Sequence, residues 1–493
     1  MSLSKISAHI IRRAVGGFSV VLMLLILLPL NIQAQQLSPS KAAQPVKLIG
    51  NIYEVKKDAQ GAINATASGE SQAVNASKQT KAEGNRLLNF FRKTTIDGFI
   101  DLYFSYNFNR PARQINSLRS FDTRDRRYSF NVAEIGFEKE ATADSRIGFR
   151  LNLFYGPATD FLSASEPGGL KFYKNVQQAY ISYLAPVRGK LQLDAGKFIP
   201  WAGAELDAAK DNWNYSRSLL YTLAQPSFHT GVRATYAFND KVSLMGAIVN
   251  GWANVEENNR GKTYVLALTL TPVSKLSLTQ SYTVGPEQPD DSRHKRHLLD
   301  TILTYNFNDR LSVMGNYDYG LERFADGSKA RWQGLASYLR YQITKRIAFS
   351  PRFEVYYDYD GFTTDTAQRL KEITLTGEYK FSKHLLTRLE YRRDWSNHPV
   401  FERTDPTDFS RTQATVVGGV IWSFNTRDEK ADDASEDQKD STSVSSSHVN
   451  IQESQFHQEN LKEKLTSQSK ESDSRLALRS VSIRSIKITD ALP

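Results

Sequence analysis

Thiolate chemistry is absent from this chain: none of its 493 residues is cysteine, which excludes disulfides, thiolate nucleophiles and thiolate metal sites together. The eight histidines are then the first candidates for acid–base or metal chemistry. His294 and His297 flank Lys295 and Arg296, a spacing open to a metal ion but for the two cations between them, so no metal site is expected. His229 stands beside Ser227 and Thr230 with no carboxylate near in sequence to orient it, and a hydrogen bond within a wall or loop is its expected role. No G-x-S-x-G elbow, H-E-x-x-H pair, phosphate loop or dinucleotide fingerprint occurs. No catalytic residue and no cofactor is expected. An enzyme of phospholipase type, whose groups converge only in space, stays open as an alternative.

Charge placed to act on passing ions is better represented. Residues 199–228 are long and unusually apolar for a connection, with Leu206, Leu219, Leu220 and Tyr221 among them, which argues against a simple solvated loop. The expectation is that this segment folds into an interior and narrows it. Trp201, Glu205, Asp207, Lys210, Asp211, Trp213, Tyr215 and Arg217 are the candidate constriction residues, because mixed rings of charge select ions in pores. A cap over an open mouth is the competing arrangement, and stacking of its rings on sugars is a third. Arg110, Arg113, Arg119, Arg124, Arg126 and Arg127 crowd a second segment. They would either focus a field that favours anions or bind anionic lipid headgroups.

Such groups need rigid elements, and residues 96–424 supply them as strand after strand. In residues 147–155, Ile147, Phe149, Leu151, Leu153 and Tyr155 share one face, while Gly148, Arg150 and Asn152 share the other. In 370–381, Ile373, Leu375, Tyr379 and Phe381 oppose Glu372, Thr374, Thr376, Glu378 and Lys380. In 385–395, Leu385, Leu389, Tyr391 and Trp395 oppose Arg388, Glu390, Arg392 and Asp394. This period of two fits strands with one face for lipid and one for water. Strand parity then places Arg150, Asp194, Arg233, Arg352, Glu354, Glu378, Arg388, Glu390 and Arg392 on the inner wall.

Connections alternate in length. Short turns at 141–145, 185–189, 239–241, 271–275, 308–310, 344–346 and 382–384 alternate with polar stretches at 107–128, 156–173, 199–228, 253–262, 285–296, 322–329, 359–369 and 396–410. Sixteen strands follow, in an all-β transmembrane antiparallel up-and-down barrel with both termini on the short-turn, periplasmic side. The segments 242–249 and 415–421 alternate poorly. A barrel of this size is wide enough to hold water. Mean hydropathy is −0.47, which excludes a bundle of membrane helices but suits alternating strands. The 23 Tyr and 26 Phe suit an interfacial belt. The net charge of +10 is scattered and gathers into no nucleic-acid motif.

The ends differ from the middle. Lys5, Arg12 and Arg13 precede an apolar run and Ala34, the pattern of a signal peptide over residues 1–34. Residues 35–95 and 425–493 are polar and lack a sustained apolar period, so they read as a flexible periplasmic extension and a periplasmic tail, with a short helix near 458–468.

Several runs resemble the β-barrel porin-2 family of bacterial outer membranes. They include 104–111 (FSYNFNRP), 196–198 (GKF), 211–218 (DNWNYSRS), 229–234 (HTGVRA), 239–241 (NDK) and 249–252 (VNGW). The resemblance spans most of 96–424 and implies an outer-membrane porin-like barrel, while it says little of the solute; with the wide lumen of sixteen strands, a porin for passive diffusion of small hydrophilic solutes or ions is expected. Membrane lipid, those solutes or ions and the barrel assembly machinery are the expected partners, and an oligomer stays open. A long tail after Phe424 and a long extension before the first strand depart from the family pattern. An oligosaccharide-specific channel, or an adhesin with a plugged lumen, stays open beside the general porin.

Overall fold

The fold was obtained as a computed structural model, which describes residue 91 and residues 93–164, 173–188 and 190–427. The expected signal peptide, nearly all of the N-terminal extension and the tail beyond residue 427 with its short helix lie outside the described residues. Sixteen strands close into one antiparallel barrel. They are β1 (Thr95–Asn107), β2 (Tyr128–Lys139), β3 (Ile147–Tyr155), β4 (Val176–Ala185), β5 (Leu191–Phe198), β6 (His229–Asn239), β7 (Val242–Val249) and β8 (Thr263–Val273). Then follow β9 (Leu276–Gly285), β10 (Arg296–Asn308), β11 (Leu311–Arg323), β12 (Lys329–Gln342), β13 (Ile347–Asp358), β14 (Gln368–Lys380), β15 (Leu385–Ser396) and β18 (Thr412–Asn425). A small hairpin, β16 (Phe401–Glu402) with β17 (Phe409–Ser410), stands apart in the last long loop.

Each strand pairs with its sequence neighbours, and β18 closes the ring on β1 with Asp97 opposite Asn425 and Asn107 opposite Thr415. Closure leaves no edge, as lipid demands of a spanning sheet. The two ends of the strand sequence therefore meet on the rim that carries the short turns. Those turns are set by side chains that cap their own backbone: Asn239 Oδ1 accepts from Lys241 N at 2.8 Å, and Asn308 Oδ1 from Arg310 N at 2.9 Å.

Outward positions carry the apolar half of each alternation, with Ile181 64%, Leu266 55%, Phe353 49% and Leu389 66% exposed. Near the short-turn rim, aromatic pairs two residues apart stand on that outer face: Tyr236 with Phe238, Tyr305 with Phe307, and Tyr379 with Phe381, at 4.9, 4.7 and 4.7 Å between centroids. They form the belt expected where a barrel meets a membrane interface. Strands β7 and β18, where alternation is weak, have apolar residues on both faces for a reason visible inside. Met245, Ala247 and Val249 pack with Tyr180, Phe198 and Trp201, and Val417 and Ile421 pack with Phe99 and Tyr215. The inner wall there meets protein rings rather than water.

Candidate functional site

Residues 199–228, between β5 and β6, run through the interior of the barrel and cross to the opposite wall. The crossing is fixed by the problem every irregular segment meets away from water: its amide and carbonyl groups need partners. The wall supplies them. Ala204 N donates to Asn316 Oδ1 on β11 at 3.1 Å, Tyr215 N and Ser216 N donate to the Glu390 carboxylate on β15 at 2.7 and 3.0 Å, and Leu219 N donates to Glu354 Oε2 on β13 at 2.7 Å. In the other direction, Arg388 donates to the carbonyls of Ala209, Asn212 and Asn214, and Arg392 Nη1 to that of Arg217 at 2.5 Å. Asn214 Nδ2 reaches Thr376 Oγ1 at 2.7 Å.

Rings of the loop finish the contact. Tyr215 packs on the bare backbone of β18, where a Cβ added at Gly419 would stand 2.4 Å from the ring, and its hydroxyl donates to Asp101 Oδ1 at 2.7 Å. A single π-helical turn, Leu220–Ala224, packs with Trp213, Trp332 and Tyr356. Gln225 then donates to Asp318 Oδ2 at 2.7 Å. Trp213 and Tyr215, candidate rings for sugar stacking, are thus turned into the wall, at 5% and 0% exposure. Trp201 is partly buried on the opposite side, with the Arg233 guanidinium 4.6 Å from its centroid.

The inward charges mostly hold this architecture. A ladder of ion pairs runs from Arg119 to Asp394 (2.7 Å), Asp394 to Arg392 (2.8 Å), Arg392 to Glu372 (3.1 Å), Glu372 to Arg352 (2.9 Å) and Arg352 to Glu205 (2.7 Å). Arg352 also meets Glu354 at 3.0 Å. Glu378 joins Arg388 and Arg340 at 2.8 and 2.7 Å, and Asp194 joins Arg233 at 2.8 Å. All of these face inward by strand parity or loop path, yet none of them faces open water. The expectation that Arg217 presents charge to passing ions is corrected in the same way. Glu205 is paired with Arg352 of the wall but also borders the cavity described below. Arg217, 1% exposed, donates to the carbonyls of Leu206, Tyr215 and Asp207 and so fastens the loop to itself. A buried charge in such a medium is tolerated only when paired and hydrogen-bonded.

One inward sector keeps its charge near solvent. Arg150 on β3 lies 3.1 Å from Asp97, 3.1 Å from Glu138 and 3.9 Å from Glu134. Lys210 and Asp211 of the loop, half-buried, pair at 2.8 Å. These groups line a cavity of about 200 Å³ that lies between the loop and strands β1–β4 and reaches Asn425 and Arg427 at the short-turn rim. Its wall holds six carboxylates (Asp97, Glu134, Glu138, Glu205, Asp207 and Asp211) against three basic groups (Arg150, Lys210 and Arg427). Within the loop, burial raises the pKa of Asp207 despite hydrogen bonds from Tyr221 and Gln177. Burial opposes the Lys210 ammonium, but Asp211, Glu134 and Asp97 outweigh it and raise its pKa. Of the candidates, Arg150, Asp207, Lys210 and Asp211 therefore meet in one place with Glu205 and Trp201, while Trp213, Tyr215 and Arg217 lie in the packed half. Asp97, Glu134 and Glu138 were missed, although Glu134, Gly136 and Glu138 alternate with Ile135 and Phe137.

The arginine-rich first loop is also brought inside in part. Arg119 and Asp122 pair at 2.8 Å, and Phe121 packs under Arg217 at 4.2 Å, whereas Arg110, Arg113, Arg124, Arg126 and Arg127 stay exposed. The histidines do not converge. His229 is buried with Nδ1 on the Gly251 carbonyl at 3.0 Å, His294 meets Asp291 at 2.6 Å, and His297 meets the Tyr282 hydroxyl at 2.6 Å. Among the described residues, no group of three or more His, Cys, Asp or Glu could hold a metal ion.

A closed sixteen-stranded barrel with an apolar outer face and a loop-narrowed, charged interior defines a porin-like barrel of the bacterial outer membrane. The chain belongs to the family described as "Putative beta-barrel porin-2, OmpL-like", which matches residues 93–424. Solved structures resemble it with low identity. OmpT of Vibrio cholerae is 10% identical, with 67% of this chain and 97% of that chain covered and a TM-score of 0.44. The anion-selective porin of Comamonas acidovorans is 10% identical, with 67% and 99% covered and a TM-score of 0.46. OprB of Pseudomonas putida is 12% identical, with 70% and 97% covered and a TM-score of 0.46. No curated protein matches the chain.

Proposed function

We propose that the chain is a passive diffusion channel for small hydrophilic solutes or ions, not an enzyme, with its termini in the periplasm. The observation that carries this reading is the cavity beside β1–β4. The inward loop fills the opposite half of the barrel with rings and paired charge, and among the described residues a charged cavity beside it reaches the short-turn rim. A lumen so narrowed admits small solutes and excludes bulky ones. Membrane lipid and the barrel assembly machinery are the partners this reading requires, and an oligomer is compatible with it. Burial of Trp213 and Tyr215 in the wall disfavours a sugar-stacking channel.

Liposome swelling tests the reading. Vesicles holding the refolded chain should swell in glycerol and in a pentose far faster than in a trisaccharide. Equal rates with protein-free vesicles for every solute would overturn it.

A further inference from the structure

The outer surface of the barrel carries a second charge pattern that solute passage does not use. On five consecutive strands of the ring, β14, β15, β18, β1 and β2, the outward side near the long loops is basic and aromatic. Lys371 on β14 and Arg393 on β15 are exposed three residues from the loop ends of their strands. They stand on neighbouring ladder positions, Lys371 opposite Trp395 and Ile373 opposite Arg393, with the Arg393 guanidinium 5.2 Å from the centre of Trp395. Across β18, Arg110 Nε donates to the hydroxyl of outward Tyr106 at 3.3 Å. Exposed Arg126 follows on the other side of β1, its amide held by Ser105 O at 2.7 Å and its Nε on the Asp125 carboxylate at 3.0 Å, with the rest of the guanidinium facing outward. The outward residues of these five strands include no Asp or Glu. Below the basic groups the same faces turn apolar, through Leu102, Leu375, Leu389 and Val420, all exposed.

This vertical order, cations and aromatic rings together at the loop end and aliphatic side chains below them, matches the layers of a lipid: phosphate with glycerol or sugar, then acyl chain. We propose that this rim is a binding surface for the phosphate groups of an anionic lipid. Two further features support that choice. Arg110 and Arg126 hold left-handed backbone, with φ of 52° and 53°, so the first loop is bent sharply where these two side chains are presented. Arginine also offers a planar fork to a phosphate, which a hydrated point charge does not. The proposal rests on the membrane barrel and not on conduction through it.

The test is native mass spectrometry of the refolded full chain in neutral detergent, titrated with phosphatidylglycerol or with phosphatidylcholine of the same acyl chains. Phosphatidylglycerol should be retained at roughly tenfold lower concentration, an advantage that shrinks as salt is raised. R110N/R126N, with asparagine chosen because it tolerates the left-handed backbone, should lose most of that preference, and so should K371Q/R393Q. R110K/R126K should keep much of it. Equal retention of the two lipids by the unaltered chain overturns the proposal without recourse to any variant. So does retention of the preference in both heat-modifiable neutralised variants. Displacement of phosphatidylglycerol by millimolar inorganic phosphate would show a site for free anions instead of lipid, and overturns it as well.

Discussion

Arg352 on β13 and Glu205 on the inward loop meet at 2.7 Å, and the side chains are 0% and 3% exposed. The pair joins the loop to the buried ladder through Glu372, Arg392 and Asp394. Removing the arginine alone leaves Glu205, Glu354 and Glu372 crowded without it, and stranding buried charge costs about 3–5 kcal/mol. R352Q should lower the urea midpoint of the refolded barrel by that measure and release the loop, seen as larger and noisier single-channel current. E205Q/R352Q should lose less than the sum of the two single changes, because each removes the partner the other strands.

Tyr215 and Gly419 give a purely steric version of the same contact. The ring occupies the space of any side chain at 419. G419V should therefore destabilise the docked loop by about 1–3 kcal/mol, as overpacking does, and Y215A should relieve part of that loss in the double variant. Thermal unfolding in detergent, read from the heat-modifiable band, measures both.

These two contacts also mark how far the sequence could be read. The barrel was legible where one face meets lipid and the other meets polar groups, as at 373–381, and in the regular alternation of short turns with long loops. Alternation failed at Met245–Ala247–Val249 and at Val417–Ile421 because their inner neighbours are rings of the wall and of the loop, and a period-two test assumes water inside. The site was legible in types but not in partners. Arg352 and Glu205 are 147 positions apart, and nothing local distinguishes a charge that will face water from one that will hold a carbonyl. Asp97, Glu134 and Glu138 were within reach of strand parity; their meeting at Arg150 was not.

Deletion of residues 203–217 should raise conductance severalfold while the barrel still closes, since all sixteen strands lie outside the excised segment. The loss of the ladder's terminal partner should make the shortened barrel less stable, although Arg352 keeps Glu354 and Glu372 as partners. Unchanged single-channel conductance in a heat-modifiable barrel would remove the loop from the passage.

Acid lining the cavity should favour cations. E134Q/E138Q should move the reversal potential in a salt gradient toward the anion side, while Arg150 keeps Asp97 as its partner at 3.1 Å. If selectivity is unaltered, these carboxylates do not line the route.

Asp207 gives a pH dependence with a definite sign. Burial raises its pKa in the folded protein, so between the ordinary carboxylate value and the raised one the folded state binds the extra proton. Stability conferred by this group is therefore present at low pH and is lost as pH rises through that window. D207N, uncharged throughout, should flatten this part of the pH–stability profile measured by urea unfolding. A slope unchanged in D207N would assign it to another group.

The most direct test of the channel itself is single-channel recording of the refolded chain in a planar bilayer with a salt gradient. Discrete, stable steps of small amplitude with a reversal potential on the cation side are the result expected from a loop-narrowed passage lined by six carboxylates and three basic groups. A correctly folded, heat-modifiable barrel that passes no current would contradict it, and would mean that the inward loop closes the lumen.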